Sequence, residues 1–243
     1  MFNLAIGIGA FTTLSFLLGF MGVYLWLSIP LGLVAGAGVF VYLGRRVQGK
    51  LEGIFNQASE QLKRQQWEPA IETMKAGYAW ARWQFMVKGS IDGQIGTVQY
   101  LRNKRAEAEP LLKSASMQHY IAKAMLAVLQ WKRGERATAR KTFELALKAG
   151  RKESLLYAVY AYVLNEMNER EAAIGIINRG LKHCKDDDRL LTNRTQLQNK
   201  KPMKMKVYGE HWYQFMLERR VIRQEPPPFA RLPKQRGQRV PKG

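Results

Sequence analysis

The sequence predicts an all-α protein in which an N-terminal transmembrane helical hairpin is followed by an α-solenoid of paired helices. Residues 2–44 contain no Asp, Glu, Lys, Arg or His and are mostly apolar. From about residue 51 to 200, apolar residues recur at helical spacing, and similar segments repeat along the chain. The expected divisions are an anchor at 1–44, repeats with a capping helix at 45–200, a docking segment at 201–225 and a tail at 226–243.

The anchor is long enough to cross a membrane twice. A hydrocarbon core of ~30 Å needs about 20 apolar helical residues. A hairpin that turns between Gly19 and Pro30 fits better than one tilted helix, which would be about 64 Å long. A signal peptide would begin with basic residues and have a much shorter apolar run, so we favour a retained anchor.

Basic residues follow the anchor directly, at Arg45, Arg46 and Lys50. Because positive charges near a membrane span favour the cytoplasmic side, we expect the chain from residue 45 onward to lie in the cytoplasm. A hairpin places the N-terminus on that side too. The sequence thus predicts an integral membrane protein, with a bacterial inner membrane as the expected location.

The repeats align on a small residue that begins the apolar face of each second helix. These residues are Ala70, Ala108, Ala139 and Ala173, with spacings of 38, 31 and 34 residues. A bulky residue follows four positions later and a small one three positions after that. Only small side chains let two helices approach to about 8–10 Å, so this pattern predicts packed helical hairpins. The bulky and small pairs are Met74 and Gly77, Leu112 and Ala115, Phe143 and Ala146, and Ile177 and Gly180.

This pattern resembles the tetratricopeptide repeat (TPR) family, whose unit is a helix–turn–helix of 34 residues. The resemblance covers about 135 of the 243 residues. It implies that the first helix of each unit lines a concave groove that binds peptides or protein segments. The groove positions matched in this sequence are Phe55, Leu62, Lys63, Thr97, Tyr100, Val128, Trp131, Lys132, Tyr162 and Asn165.

The implied function is an integral-membrane scaffold or adaptor that binds protein partners at the cytoplasmic face of a membrane. Lys63 and Lys132 edge an aromatic and apolar strip, which would suit an extended or helical segment of acidic character. For Trp131 and Tyr162, packing between repeats is an equally good explanation.

Four additional residues separate the first two units, within the aromatic stretch 78–85. We expect the second helix of the first unit to be one turn longer and to bury these rings against the next unit. The alternative is that Trp80 and Trp83 dock at the membrane interface or on a partner.

The C-terminal part follows a predicted capping helix at 189–200. Trp212, Phe215 and Met216 share one helical face, which predicts packing onto the last repeat; a free motif that binds a partner is the alternative. From Pro226 the chain has five basic residues and no acidic one. Such a composition predicts a disordered tail that could contact anionic lipid.

The net charge of +20 implies an acidic neighbour, which can be lipid, protein or nucleic acid. The alternative function is therefore a basic, membrane-tethered module that contacts nucleic acid or ribosomes; a subunit of an enzyme complex is a third reading. Three histidines and the single Cys184 form no recognisable catalytic or metal-binding motif. We expect a protein that is not an enzyme and needs no cofactor or metal.

Overall fold

The computed structural model describes residues 2–218, and every regular element within them is helical. This confirms the predicted fold class. The predicted tail lies outside the described residues, as do residues 219–225 of the docking segment. The helices are α1 Phe2–Phe20, α2 Leu25–Lys63, α3 Trp67–Ala76, α4 Val87–Leu101, α5 Arg105–Ser114, α6 Tyr120–Lys132, α7 Arg136–Ala149, α8 Ser154–Glu166, α9 Arg170–His183, α10 Asp188–Gln198 and α11 Glu210–Tyr213, with 3₁₀ turns at Gly77–Trp80 and Met205–Tyr208.

Helix α1 and the first half of α2 form an antiparallel hairpin. The chain turns at residues 21–24, inside the interval that the sequence predicts. Both helices are long and apolar enough to cross a membrane. The helices approach closely at Gly7 and Gly36, since a Cβ atom added at Gly36 would lie 2.6 Å from the Gly7 carbonyl oxygen. Small residues therefore allow this contact, as they do between membrane helices.

Helix α2 joins the hairpin to the repeats without a break. It has 39 residues, which corresponds to about 58 Å at a rise of 1.5 Å per residue. Its second half carries Val47, Leu51 and Ala58 into the hydrophobic core of the first repeat, where all three are buried. One helix thus serves both as the second arm of the hairpin and as the first helix of the first repeat.

Four helix pairs follow the predicted register: α2 with α3, α4 with α5, α6 with α7, and α8 with α9. The turn within each pair contains one residue with positive φ, five positions before the predicted anchoring alanine. Asn and Gly adopt this left-handed conformation most readily, and they occupy three of the four turns. All four anchoring alanines are fully buried. The turn residues are Gln65, Asn103, Gly134 and Asn168.

The small residue near the end of each second helix can be tested at Gly180 in α9. A Cβ atom there would lie 2.8 Å from Cγ of the buried Tyr157 ring. We expect Gly180→Ala to lower the free energy of unfolding by about 1–3 kcal/mol, as overpacked cores do. Gly175→Ala in the same helix is the control, because its Cβ would meet no atom within 4 Å and Ala is the better helix former by up to ~1 kcal/mol. Urea unfolding measures both, and equal effects would contradict the packing argument.

The aromatic stretch after α3 differs from expectation. Helix α3 ends at Ala76, a 3₁₀ turn covers Gly77–Trp80, and irregular chain continues until α4 begins at Val87. The predicted longer helix is therefore wrong. Within the tight turn the Tyr78 hydroxyl donates a hydrogen bond to the buried carboxylate of Asp92, which holds the turn against α4.

Helix α10 packs against α9 at the C-terminal end of the repeats. The side chain of Asp187 accepts hydrogen bonds from the backbone N–H groups of Arg189 and Leu190, at 3.0 and 3.1 Å. An acidic side chain at this position satisfies free backbone N–H groups, and its negative charge interacts favourably with the positive end of the helix dipole. Beyond α10 the chain continues through the 3₁₀ turn to α11, which contacts α8.

Candidate peptide-binding groove

The first helices of the second, third and fourth repeats lie side by side as α4, α6 and α8. The C-terminal segment, which we define as residues 203–218, crosses this row of helices. It contacts α10 first, then α8, and ends at side chains of α4 and α6. A segment of the same chain therefore lies across the first helices of three repeats, where the TPR resemblance predicts the groove.

The segment begins at the capping helix. The backbone N–H of Lys204 donates a 2.7 Å hydrogen bond to the side-chain oxygen of the fully buried Asn193. The guanidinium group of Arg189 lies 5.0 Å from the centre of the Tyr208 ring, within range of a cation–π interaction. Both contacts hold the start of the segment against α10.

Trp212 is the largest fully buried side chain of the described residues. Its ring meets that of Tyr162 in α8 edge to face, with centroids 4.9 Å apart and planes at 68°. Its indole N–H donates to the carboxylate of Glu218 at 3.3 Å. Burial, assisted by Glu166 and Glu218, raises the pKa of Tyr162 to about 12, so its hydroxyl stays neutral at physiological pH.

Two polar side chains bind the main chain of the segment. The Tyr100 hydroxyl in α4 donates a 2.7 Å hydrogen bond to the carbonyl oxygen of Phe215. The Lys132 ammonium group in α6 donates one of the same length to the carbonyl oxygen of Met216. Burial raises the pKa of Tyr100 and lowers that of Lys132. Both hydrogen bonds are accepted by backbone carbonyl oxygens, so a segment with a different sequence would accept them equally well.

The ten predicted groove residues divide into three groups. Tyr100, Lys132 and Tyr162 contact the C-terminal segment. A second group packs within the repeats, in the hydrophobic cores or by a local hydrogen bond; its members are Phe55, Leu62, Thr97, Val128 and Trp131. Two remain at the surface: Lys63, which forms an ion pair with Glu60, and the half-buried Asn165.

A cavity of about 260 Å³ remains between the segment and the N-terminal ends of α6 and α8. Its lining includes Tyr120, Glu153, Arg189 and His211. Arg189 already donates to Asp187 and Ser154, so its charge is neutralised locally. Within residues 2–218, no three His, Cys, Asp or Glu side chains come together as a metal site.

Sequence reasoning did not place the C-terminal segment against the first helices of the repeats. The dense aromatic composition of 208–216 indicated that this stretch would be buried. It did not indicate which helices would bury it, because the bonds from Tyr100 and Lys132 go to backbone carbonyls that every residue carries.

The fold and groove define an all-α protein in which an apolar helical hairpin continues into a TPR-like solenoid. No family model matches the sequence, and no curated protein matches it. Among solved structures, a chain described as "MamA RS-1 ArsTM double mutant" is similar, with a TM-score of 0.46 and 16% sequence identity. The similarity covers 69% of this chain and 93% of that one, and it concerns the fold alone.

Proposed function

We propose that this protein is a membrane-anchored helical scaffold that binds protein segments at the membrane surface, without catalytic chemistry of its own. The observation that carries the proposal is the continuity of α2, which runs from the apolar hairpin into the core of the first repeat. A linker would leave the solenoid free to drift. A continuous helix makes the solenoid a rigid extension of the anchor.

The orientation follows from charge. Arg45, Arg46 and Lys50 are exposed where the apolar part of α2 ends. By the positive-inside rule, the solenoid lies in the cytoplasm, and a bacterial inner membrane is the location that we propose. Both ends of the hairpin then lie on the same side as the groove.

The C-terminal segment supports a groove that accepts peptides. It is held by an aromatic anchor, Trp212, and by hydrogen bonds from Tyr100 and Lys132 to its main chain. An anchor in a pocket combined with main-chain bonds is a common mode of peptide recognition. We propose that a partner presents a segment with an aromatic anchor and replaces the C-terminal segment in the groove.

A nicked protein tests this proposal while preserving the folded chain. A protease site is inserted at the exposed Lys200–Lys201 junction, and the purified full-length protein is cleaved there after folding. A labelled peptide of residues 203–218 is then added, and uptake is followed by fluorescence anisotropy. We expect saturable uptake by the nicked protein only, weaker uptake with Tyr100→Phe, and none for the peptide with Trp212→Ala.

The uncleaved chain is the control, because its own segment fills the groove at a high effective concentration. If the native segment leaves the nicked protein and the peptide does not bind, the groove is not a reversible peptide site. If the native segment does not leave over days and the added peptide does not bind, the segment is a permanent structural element. Either result would contradict the proposed mode of partner binding.

A second candidate function rests on the far end of the solenoid. Lysines 200, 201, 204 and 206 are exposed there, and no ion pair involves them within the described residues. Such a cluster could contact nucleic acid or a ribosome at the membrane. Binding to RNA that weakens steeply with salt would favour this candidate, and absence of binding at low salt would remove it.

A further inference from the structure

Outside the hairpin, the described residues expose only four large apolar side chains: Trp83, Phe85, Met117 and Val207, with exposed fractions of 36, 68, 51 and 50%. Phe85 lies beside Trp83 in one cavity and beside Met117 in another. We call Trp83, Phe85 and Met117 the aromatic patch. Val207 lies far along the chain, in the C-terminal segment. Clustered exposed apolar side chains usually mark an interaction surface.

Hydrogen bonds fix the Trp83 side of the aromatic patch at the end of the hairpin. The backbone N–H groups of Phe2 and Asn3, the first residues of α1, donate to the carbonyl oxygens of Arg82 and Trp83 at 3.0 and 3.1 Å. The rings of Phe2 and Trp83 meet edge to face, with centroids 5.5 Å apart. The irregular chain after α3 thus caps the N-terminus of α1.

The aromatic patch also lies beside the hairpin. Leu4 in α1 and Phe40 in α2 line the same cavity, of about 260 Å³, as Trp83 and Phe85. Leu4 and Phe40 belong to the uncharged run, so the patch lies alongside residues that a membrane-spanning hairpin places within the apolar layer. The depth of the patch therefore follows from that of the hairpin.

Basic residues lie near the aromatic patch, just beyond the end of the apolar run. Arg45, Arg46 and Lys50 are exposed on α2 just after the apolar run, and Lys88 is exposed beside Phe85. Indole rings favour the boundary between headgroups and acyl chains. Lysine and arginine are attracted to anionic headgroups close by. The composition of this region matches an anionic phospholipid surface on both counts.

We propose that the aromatic patch inserts into the membrane surface from which the hairpin emerges, and that anionic phospholipid is its ligand. This proposal rests on the proposed membrane anchor and adds a second contact to it. The continuous α2 helix fixes the solenoid to the hairpin, but a membrane-spanning hairpin can itself tilt in the bilayer and carry the solenoid with it. The patch, bonded to α1 and packed beside α2, fixes the angle at which the solenoid meets the membrane.

Spin labels measure the insertion directly. The full chain with Cys184→Ser receives one cysteine at a time, by Phe85→Cys, Met117→Cys, Val207→Cys or Phe16→Cys, and is placed in nanodiscs of phosphatidylcholine and phosphatidylglycerol. Power saturation compares collisions with oxygen, which favours lipid, and with a nickel chelate, which favours water. We expect the oxygen-to-chelate ratio at residues 85 and 117 to lie between a low value at 207 and a high one at 16.

The outcomes separate the two proposals. A ratio at residue 85 equal to that at 207, with residue 16 in lipid, overturns the patch and leaves the anchor intact; a patch that binds a protein instead would give this result. A water-like ratio at residue 16 overturns the anchor and, with it, the patch.

A second variant tests whether the patch acts as a unit. Phe85→Ser is expected to lower the ratio measured at residue 117 towards that at 207, because the patch loses its most exposed apolar side chain. Val207→Ser is the matched control and is expected to leave the ratio at 117 unchanged. If Phe85→Ser leaves the oxygen-to-chelate ratio at residue 117 unchanged, the patch does not insert as one surface.

Discussion

Replacing Trp212 with alanine is expected to weaken the docking of the C-terminal segment by about 3–5 kcal/mol, the usual cost of removing a buried Trp or Phe side chain. The indole ring is fully buried, packs edge to face on Tyr162 and donates a hydrogen bond to Glu218. The substitution therefore removes the anchor of the segment and opens a cavity on α8.

The effect of Trp212→Ala should be local. The repeats pack on one another without the segment, so we expect the segment to detach while the solenoid stays folded. Since about 1.4 kcal/mol corresponds to a factor of ten, amide hydrogens of the segment that exchange through its detachment should exchange roughly a hundredfold faster or more. Hydrogen-exchange mass spectrometry on peptides covering 203–218 measures this. Peptides from α6 and α7 should change little.

Val207→Ala is the matched control for Trp212→Ala. It shortens an apolar side chain in the same segment, but that side chain is 50% exposed. Its effect on exchange should be small. If both substitutions accelerate exchange equally, or if Trp212→Ala unfolds α6 and α8 with the segment, then the segment is not a separable ligand of the groove but part of the core.

The repeat register could be predicted from sequence because it rests on a local steric rule. Ala70, Ala108, Ala139 and Ala173 are small where helices must approach, and each is fully buried. The turn between the helices then falls at a fixed distance, whatever the residue there. Gln65 lies at the same spacing, although its left-handed φ of 61° is unfavourable for a glutamine.

The occupant of the groove could not be predicted in the same way. The Tyr100 hydroxyl reaches a carbonyl oxygen 115 residues further along the chain. Neither the tyrosine nor Phe215 carries a local signal for this bond, since every residue offers a carbonyl oxygen. Aromatic density in 208–216 predicted burial of the segment, and only the three-dimensional path determines that it lies across α8, α6 and α4.

The aromatic stretch 78–85 illustrates a different limit. The expected extra turn of α3 follows from the four additional residues that separate the first two units. Tertiary contacts prevail instead: Tyr78 bonds to Asp92 in α4, and the carbonyl groups of Arg82 and Trp83 accept hydrogen bonds from α1. These partners lie in other helices, so a pattern read within one helix cannot reveal them.

The close approach of α1 and α2 leads to a second expected result: Gly36→Ala should force the hairpin apart. The added Cβ would lie 2.6 Å from the Gly7 carbonyl oxygen and 2.9 Å from Cβ of Phe11. Neither atom is the flexible end of a side chain, so the helices themselves must shift. We expect a cost of about 1–3 kcal/mol from overpacking, at a contact where small residues let the two backbones meet.

Nitroxides at Ile8 and Leu33, which line one apolar hollow between the two helices, report this separation by dipolar broadening in nanodiscs. Broadening should weaken with Gly36→Ala. Gly38→Ala is the control on the same helix, because its Cβ would meet no atom within 4 Å, and it should keep the broadening while favouring the helix by up to ~1 kcal/mol. Unchanged broadening with Gly36→Ala would show that the two helices do not meet at Gly7 and Gly36. Because α2 continues into the first repeat, a shifted hairpin would also be expected to move the solenoid relative to the membrane.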